Sequence, residues 1–123
     1  MREARTLPME GPAQRVRIYV NERDRWKGLP LAHAIVRKAQ QLGLAGATVA
    51  RALEGFGAHH RLHETQLVEV EGNLPIVIEI VDGHEQVARL LPELDTMVSE
   101  GLVTIEEVHV VRYRHRPSGT EQP

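Results

Sequence analysis

The feature that most constrains the fold is a strand–helix–strand pattern that occurs twice along the chain. The first unit begins with residues 15–21, RVRIYVN, whose alternating apolar side chains are typical of a strand with one buried face. Apolar residues at helical spacing follow from Leu31 to Leu42, with Pro30 in the first turn and Gly43 as the C-terminal cap. Residues 47–53 predict a second, shorter strand.

The second unit carries the stronger signals. Residues 75–81, PIVIEIV, are rich in β-branched side chains and indicate a strand in the interior of a sheet. Asp82, with Glu85 three residues later, predicts an N-cap that opens a helix. Pro92 falls inside the helical pattern, so we expect the helix to kink or restart there. Residues 103–113 predict a last strand.

The order strand, helix, strand, strand, helix, strand favours an α+β, ferredoxin-like fold when crossovers are right-handed. We therefore expect a four-stranded antiparallel sheet with two helices on one face, formed by residues 15–116. Residues 1–14 and 117–123 show no periodicity, and we predict a flexible lead-in and a flexible tail.

The helices leave one face of this sheet without a cover. If Val16, Ile18 and Val20 face the helices, the opposite face is half apolar and half charged, with Arg17, Tyr19, Val77, Glu79 and Val81, joined by Val111 and Tyr113 from the last strand. A face of this kind usually meets another subunit, so we expect a homo-oligomer. The alternative is a hydrated surface with scattered valines.

Composition excludes several classes of function. A net charge of −2 provides no field for nucleic acid or for an anionic membrane. The chain has no cysteine, which rules out disulfides and cysteine nucleophiles. No apolar run approaches the roughly 20 residues of a membrane span, and no secretory signal is recognisable, so we expect a cytoplasmic protein. The chain shows neither a nucleophile elbow nor a spaced carboxylate pair, so we predict that it is not an enzyme.

The long loop, residues 54–73, is the candidate functional segment because connections in compact domains are usually much shorter. In the predicted topology it shares one end of the sheet with residues 22–29 and with the turn near Gly101. Asp24 and Trp26 also have a structural interpretation, as a helix cap and as a plug at the core edge. The candidate ligand-binding residues are Lys27, Glu54, Gly55, Gly57, His59, Arg61, Arg112 and Arg114, and the candidate partner-contacting residues are Phe56, His60 and His63.

An alternative use of this loop is metal binding by His59, His60 and His63. Imidazole suits zinc, copper and nickel, so a divalent metal is the competing ligand. Three loop histidines without a nearby Asp or Cys are a weak signal, because a ligand set needs fixed geometry and a second shell.

Three stretches, DRWKG, GLAGATV and EGFGAHHRLH, resemble the uncharacterised PII-like family, and the similarity runs from Arg15 to Tyr113. This family comprises small bacterial and archaeal relatives of the nitrogen-regulatory PII signalling proteins. The resemblance implies a homotrimer with its sheets facing inward and a T-loop, here residues 54–73, that contacts partners such as membrane transporters. It also implies adenine nucleotides in clefts between subunits. Members are often encoded beside fluoride exporters, which suggests an ion transporter as partner by association only.

One departure from PII proteins concerns the phosphates. Their glycine- and lysine-rich turn between the second helix and the last strand is replaced here by residues 100–105, EGLVTI, which contain no basic residue. If a nucleotide binds, its charge must be met by Arg61, Lys27 and Arg112 or Arg114. The sequence thus predicts a PII-like regulator of a small anionic effector, with a metal-binding module and a ligand-free structural adaptor as alternatives.

Overall fold

The computed structural model describes residues 10–56 and 73–114. In these two ranges it contains six strands and two helices: β1 Gly11–Asn21, β2 Arg25–Trp26, β3 Leu29–Pro30, α1 Leu31–Gln41, β4 Thr48–Arg51, β5 Pro75–Asp82, α2 His84–Met97 and β6 Leu102–Val110. The main sheet has the order β4-β5-β1-β6, and β2 and β3 form a separate two-stranded hairpin.

All neighbouring strands of the main sheet are antiparallel. β1 is central, paired with β5 on one side and with β6 on the other, while β4 forms the edge beyond β5. Two strand–helix–strand units therefore interlock, each helix connecting strands that lie on either side of a third strand. This arrangement confirms the predicted α+β, ferredoxin-like fold.

The core lies between this sheet and the two helices. Val16, Ile18 and Val20 of β1 stand opposite Ile80, Ile78 and Ile76 of β5, and all six side chains are buried. From the helices the core receives Leu31, Ala34, Ile35, Ala39, Val87, Leu90, Leu94 and Met97. The alternation predicted from the sequence therefore places the apolar side chains on the helix side of the sheet.

The C-terminus of α1 shows why Gly43 follows the helix. Gly43 has a φ of +81°, a left-handed conformation that glycine adopts without steric cost. Its N–H donates to the carbonyl of Gln40, and the N–H of Leu44 donates to that of Ala39, which is the bonding pattern of a Schellman motif. The sequence-based assignment of Gly43 as the C-terminal cap is confirmed.

The predicted N-cap at Asp82 is wrong. The N-cap of α2 is Gly83, and Asp82 is the last residue of β5, fully buried. Its Oδ2 accepts a hydrogen bond of 2.8 Å from the N–H of Ala45, and its Oδ1 accepts one of 2.7 Å from Gly83. Asp82 therefore binds the α1–β4 connection to the end of β5, a long-range role that a local capping pattern does not reveal.

Other boundaries also differ from the predictions. β1 begins at Gly11, because the residues before Arg15 continue the pairing with β6. α2 continues through Pro92 to Met97 and does not restart. β6 ends at Val110, so Val111 and Tyr113 do not extend the uncovered sheet face. The Tyr113 hydroxyl instead donates a 3.1 Å hydrogen bond to the carbonyl of Ala45.

Candidate functional site

Three connections meet at one end of the sheet, where β1 and β4 finish and β5 and β6 begin. The N–H of Glu22 donates to the carbonyl of Leu74 at 2.9 Å, and the N–H of Arg23 donates to Oδ1 of Asn73 at 3.0 Å. Gly101 lies against the same end, so close that an added Cβ would stand 2.6 Å from the carbonyl oxygen of Tyr19. We call this region the junction.

The two ends of the long loop are residues 51–53 and 73–75, which we call the loop base. Glu22 binds both of them to the junction. One carboxylate oxygen of Glu22 accepts a 3.0 Å hydrogen bond from the N–H of Leu74, and the other accepts one of 2.8 Å from Nη1 of Arg51. The hydrogen bond from Leu74, followed by the one from Arg51, holds the pKa of Glu22 below its usual value. Sequence analysis missed Glu22, because its partners lie about 30 and 50 positions away.

The β2–β3 hairpin forms the outer part of the junction. Lys27 and Gly28 form its two-residue turn, and both have positive φ, +48° and +84°, as a type I′ turn requires. The ammonium of Lys27 lies 5.3 Å from the centre of the Trp26 ring, and Trp26 packs against the core as predicted. The ammonium of Lys27 therefore lies over the Trp26 ring, on the hairpin that follows Glu22 and Arg23 in the chain.

Asp24 does not cap α1, so the interpretation of Asp24 as a helix cap is wrong. Its Oδ2 accepts a hydrogen bond from the N–H of Asn21, which closes the turn after β1. Its carbonyl accepts from the N–H of Leu31, the first residue of α1, whose N-cap position is occupied by Pro30. Asp24 therefore fixes the hairpin to the helix through the backbone.

Of the predicted site residues, four lie on this end of the molecule. Lys27, Glu54, Gly55 and Phe56 are all exposed, and Gly55 passes close to Pro75, since an added Cβ would lie 3.2 Å from Pro75 Cγ. Gly57, His59, His60, Arg61 and His63 lie outside the described residues. Within the described ranges no group of three His, Cys, Asp or Glu side chains could hold a metal ion, so the metal hypothesis depends on histidines that lie outside them.

Arg112 and Arg114 follow the end of β6, at the opposite end of the sheet from the junction. β1 alone spans 11 residues, so the two ends are roughly 30 Å apart. The hydrogen bond from Tyr113 to Ala45 fixes the segment that carries these two exposed arginines. Within one protomer the structure therefore does not bring Arg112 and Arg114 together with Lys27 and Glu54.

The sheet face opposite the helices, which we call the uncovered face, bears a group of four charged side chains. Arg15 of β1 stands opposite Glu106 of β6, and Arg17 stands opposite Glu79 of β5. Arg15 donates to Glu106 through Nε at 3.0 Å and also through Nη2, and Arg17 Nε donates to Glu79 at 3.0 Å. The same face also carries Ala13, Tyr19, Thr48, Ala50, Val77, Val81, Leu102, Thr104 and Val108.

These ion pairs shift the pKa values of their members. The hydrogen bond from Arg15 lowers the pKa of Glu106, and the hydrogen bond to Glu79 raises the pKa of Arg17. Sequence analysis included Arg17 and Glu79 on this face but missed Arg15 and Glu106. The pairing register of β1 with β6 would have identified them, because it places Arg15 directly opposite Glu106 and opposite charges in such positions attract.

Among the described residues, no helix combines the length and the apolar character that crossing a bilayer requires.

Comparisons with known proteins agree with this architecture. The profile of the DUF190 family, described as Uncharacterized ACR, matches residues 13–110. A UPF0166 protein of Aquifex aeolicus (strain VF5) is 34% identical over 96 residues, which is 78% of this chain and 90% of the relative.

Two solved structures have a similar fold. CPII of Thiomonas intermedia, bound to ADP and bicarbonate, aligns with a TM-score of 0.57 at 23% identity over 84% of this chain and 95% of its own. A protein of Thermus thermophilus, proposed to be a PII-like signalling protein, aligns with a TM-score of 0.58 at 23% identity over 84% of this chain and 94% of its own. The chain thus belongs to the DUF190 family, and its fold is that of the PII-like proteins.

Proposed function

We propose that this protein is a PII-like regulator that binds a small anionic effector, an adenine nucleotide, in clefts between the subunits of a homotrimer. The effector acts on the loop of residues 54–73. This loop contacts a protein partner, such as a membrane transporter, from the cytoplasmic side. Regulation by binding, and not catalysis, is the activity.

The observation that carries this proposal is the hydrogen bonding of residues 22–23 to the loop base at the junction. Glu22 and Arg23 bond to Leu74 and Asn73 through backbone and side chain, and the β2–β3 hairpin with Lys27 follows directly. A ligand that contacts the hairpin would touch residues next in the chain to Glu22 and Arg23, which are hydrogen-bonded to both sides of the loop base. A regulator requires such a connection, because a ligand shifts an equilibrium only through contacts that differ between two states.

The trimer is supported by the uncovered face. Charges that are already paired within the protomer lie among Tyr19, Val77 and Leu102, so this half-apolar face can be covered by a second copy without burying an unpaired one of these charges. Arg112 and Arg114 lie at the far end of their own sheet. In this proposal they therefore act at the junction of a neighbouring subunit and not at their own.

The chemical class of the effector follows from the charges available. CPII, which shares this fold, is bound to ADP and bicarbonate, both of them anions. In this chain residues 100–105 offer no cation, so Lys27, Arg61 and one of Arg112 and Arg114 meet the negative charge. Gly55, which is exposed at this end of the molecule, offers a backbone N–H to an anion, and we assign the same role to Gly57 from its place in the sequence.

Titration calorimetry tests this proposal. We expect heat of binding with at least one of ADP, AMP, ATP, a cyclic adenine nucleotide and bicarbonate. Lys27→Ala and Arg61→Ala should each weaken binding by about tenfold, because each removes a charge-assisted hydrogen bond. Arg89→Ala, on the outer surface of α2, is the matched control and should bind like the wild type. Absence of heat with every compound, or equal affinity in all three variants, contradicts the proposal.

A further inference from the structure

The side chain of Glu22 joins three segments of the chain through hydrogen bonds. It lies in the connection after β1, Arg51 is the last residue of β4, and Leu74 immediately precedes β5. The carboxylate accepts from Leu74 N–H at 3.0 Å and from Arg51 Nη1 at 2.8 Å, while the backbone N–H of Glu22 donates to the Leu74 carbonyl at 2.9 Å. Both sides of the loop base are therefore tied to the same residue.

The chemistry of this contact requires a carboxylate. Both partners of the side chain are donors, an amide N–H and a guanidinium, so both side-chain oxygens must be acceptors. A glutamine of the same shape has one acceptor and one NH₂ group, and the NH₂ group would face one of these donors. A protonated Glu22 has the same defect, because its O–H replaces one acceptor.

The contact is also accessible from solvent. The side chain of Glu22 is 27% exposed and that of Arg51 is 60% exposed. The charged groups that face this carboxylate are Arg51 from β4 and Arg23 from its own connection, and they act with the Leu74 N–H to lower the pKa of Glu22. A proton can therefore reach Glu22, and an anion in solution can reach Arg51.

We propose that Glu22 is the positioning residue of the loop base, and that an anionic group which binds Arg51 competes with Glu22 and loosens that base. In the engaged state the carboxylate holds Arg51 and Leu74 together. In the released state the N–H of Leu74 loses its acceptor and exchanges with solvent, while the N–H of Ala52 keeps its 2.9 Å hydrogen bond to the carbonyl of Pro75. The loosening is therefore confined to the contacts of Leu74 and Arg51. This inference rests on the proposed function for its regulatory meaning, while the contacts themselves do not depend on it.

Amide hydrogen exchange at Leu74, measured by NMR, tests the positioning role without any effector or partner. We expect exchange about tenfold faster in Glu22→Gln than in the wild type, since a charge-assisted hydrogen bond is lost and a donor is placed against a donor. Glu22→Asp, which keeps both acceptors, should restore part of the protection. Arg25→Gln, an exposed arginine in the neighbouring hairpin, is the control and should leave Leu74 unchanged.

The pH profile separates positioning by charge from a merely structural role. Because the pKa of Glu22 is lowered in the folded protein, the engaged state is complete above the usual glutamate pKa and is lost as pH falls through the lowered one. Protection at Leu74, corrected for intrinsic exchange, should decrease over that range in the wild type. The same decrease should be missing in Glu22→Gln. Wild-type protection in Glu22→Gln, or the same pH dependence in both proteins, overturns the proposal.

Pyrophosphate is the probe for the second step, in which an anion competes with Glu22 for Arg51. Pyrophosphate, titrated at constant ionic strength set with chloride, should accelerate exchange at Leu74 in the wild type and in Arg51→Lys, which keeps the cation. It should have no effect in Arg51→Gln. No response in the wild type, or an equal response in Arg51→Gln, overturns this step. Nucleotide calorimetry can fail while these exchange results hold, so the two proposals fail independently.

Discussion

Gly101 has no room for a side chain. An added Cβ would lie 2.6 Å from the Tyr19 carbonyl oxygen and 3.1 Å from Val98 Cγ1, and φ at this residue is +150°. The first contact is with backbone of the central strand, which cannot move aside as a flexible side chain could. Position 101, in the turn between α2 and β6, therefore requires a glycine. The turn packs there on the end of β1, at the junction.

We predict that Gly101→Ala lowers the free energy of unfolding by about 2–3 kcal/mol, because it adds both overpacking and backbone strain. The midpoint of urea denaturation, at fixed protein concentration, measures this loss. Gly46→Ala is the matched control, since nothing lies within 4 Å of its added Cβ, and it should stay within about 0.5 kcal/mol of the wild type. Equal midpoints for the two variants would contradict the packing argument.

At the scale of secondary structure, α2 shows how tertiary contacts override a local breaker. Pro92 lacks the N–H that would bond the carbonyl four residues before it, yet the helix runs without a break from His84 to Met97. Leu90 and Leu94, on either side of Pro92, are both buried in the core. Burial of this apolar stripe outweighs the missing hydrogen bond.

We predict that Pro92→Ala raises the free energy of unfolding by about 1–2 kcal/mol. The substitution restores the helical hydrogen bond and removes a steric clash, and the greater freedom of the unfolded chain offsets part of the gain. Pro92 is exposed, so no core packing is lost. Thermal and urea denaturation give the change. Pro12→Ala, an exposed proline in β1, should not stabilise the protein, and a Pro92→Ala protein no more stable than the wild type would contradict the prediction.

The elements that sequence predicted well are those with local signals. Alternation located β1 and β5, helical spacing located α1 and α2, and Gly43 was identified because a left-handed cap depends on a single residue. Asp82 and Tyr113 were misassigned because both bond to the backbone of Ala45, which lies in the distant α1–β4 connection. Glu22 was missed for the same reason, since nothing near it in the sequence indicates that Arg51 and Leu74 will be its neighbours.

At the scale of the whole molecule, the two faces of the sheet differ in polarity and therefore in the surfaces that can pack against them. The helix-side face forms the apolar core at its centre, although Val49, Val103 and Ile105 on the two edge strands are exposed. The uncovered face has Arg15, Arg17, Glu79 and Glu106 in its centre, all partly exposed. Exposed ion pairs of this kind contribute little to the stability of a protomer. Because Arg15 pairs with Glu106 and Arg17 with Glu79 inside the protomer, a second copy can cover this face without leaving any of these four charges unpaired.

We predict that Val77→Arg prevents assembly through the uncovered face. Val77 of β5 stands opposite Tyr19 of β1 and Ala50 of β4, on the same side as Glu79, so a third arginine there adds a charge without an acidic partner to the proposed interface. Sedimentation equilibrium at micromolar concentration should give a trimer for the wild type and a monomer for Val77→Arg. Ala88→Arg, which places the same side chain on the exposed surface of α2, should remain trimeric.

A monomeric wild type would contradict the assembly and with it any effector site shared between subunits. A trimeric Val77→Arg with wild-type affinity between subunits would place the interface on another face, and Arg112 and Arg114 would then have to reach the junction by a different route.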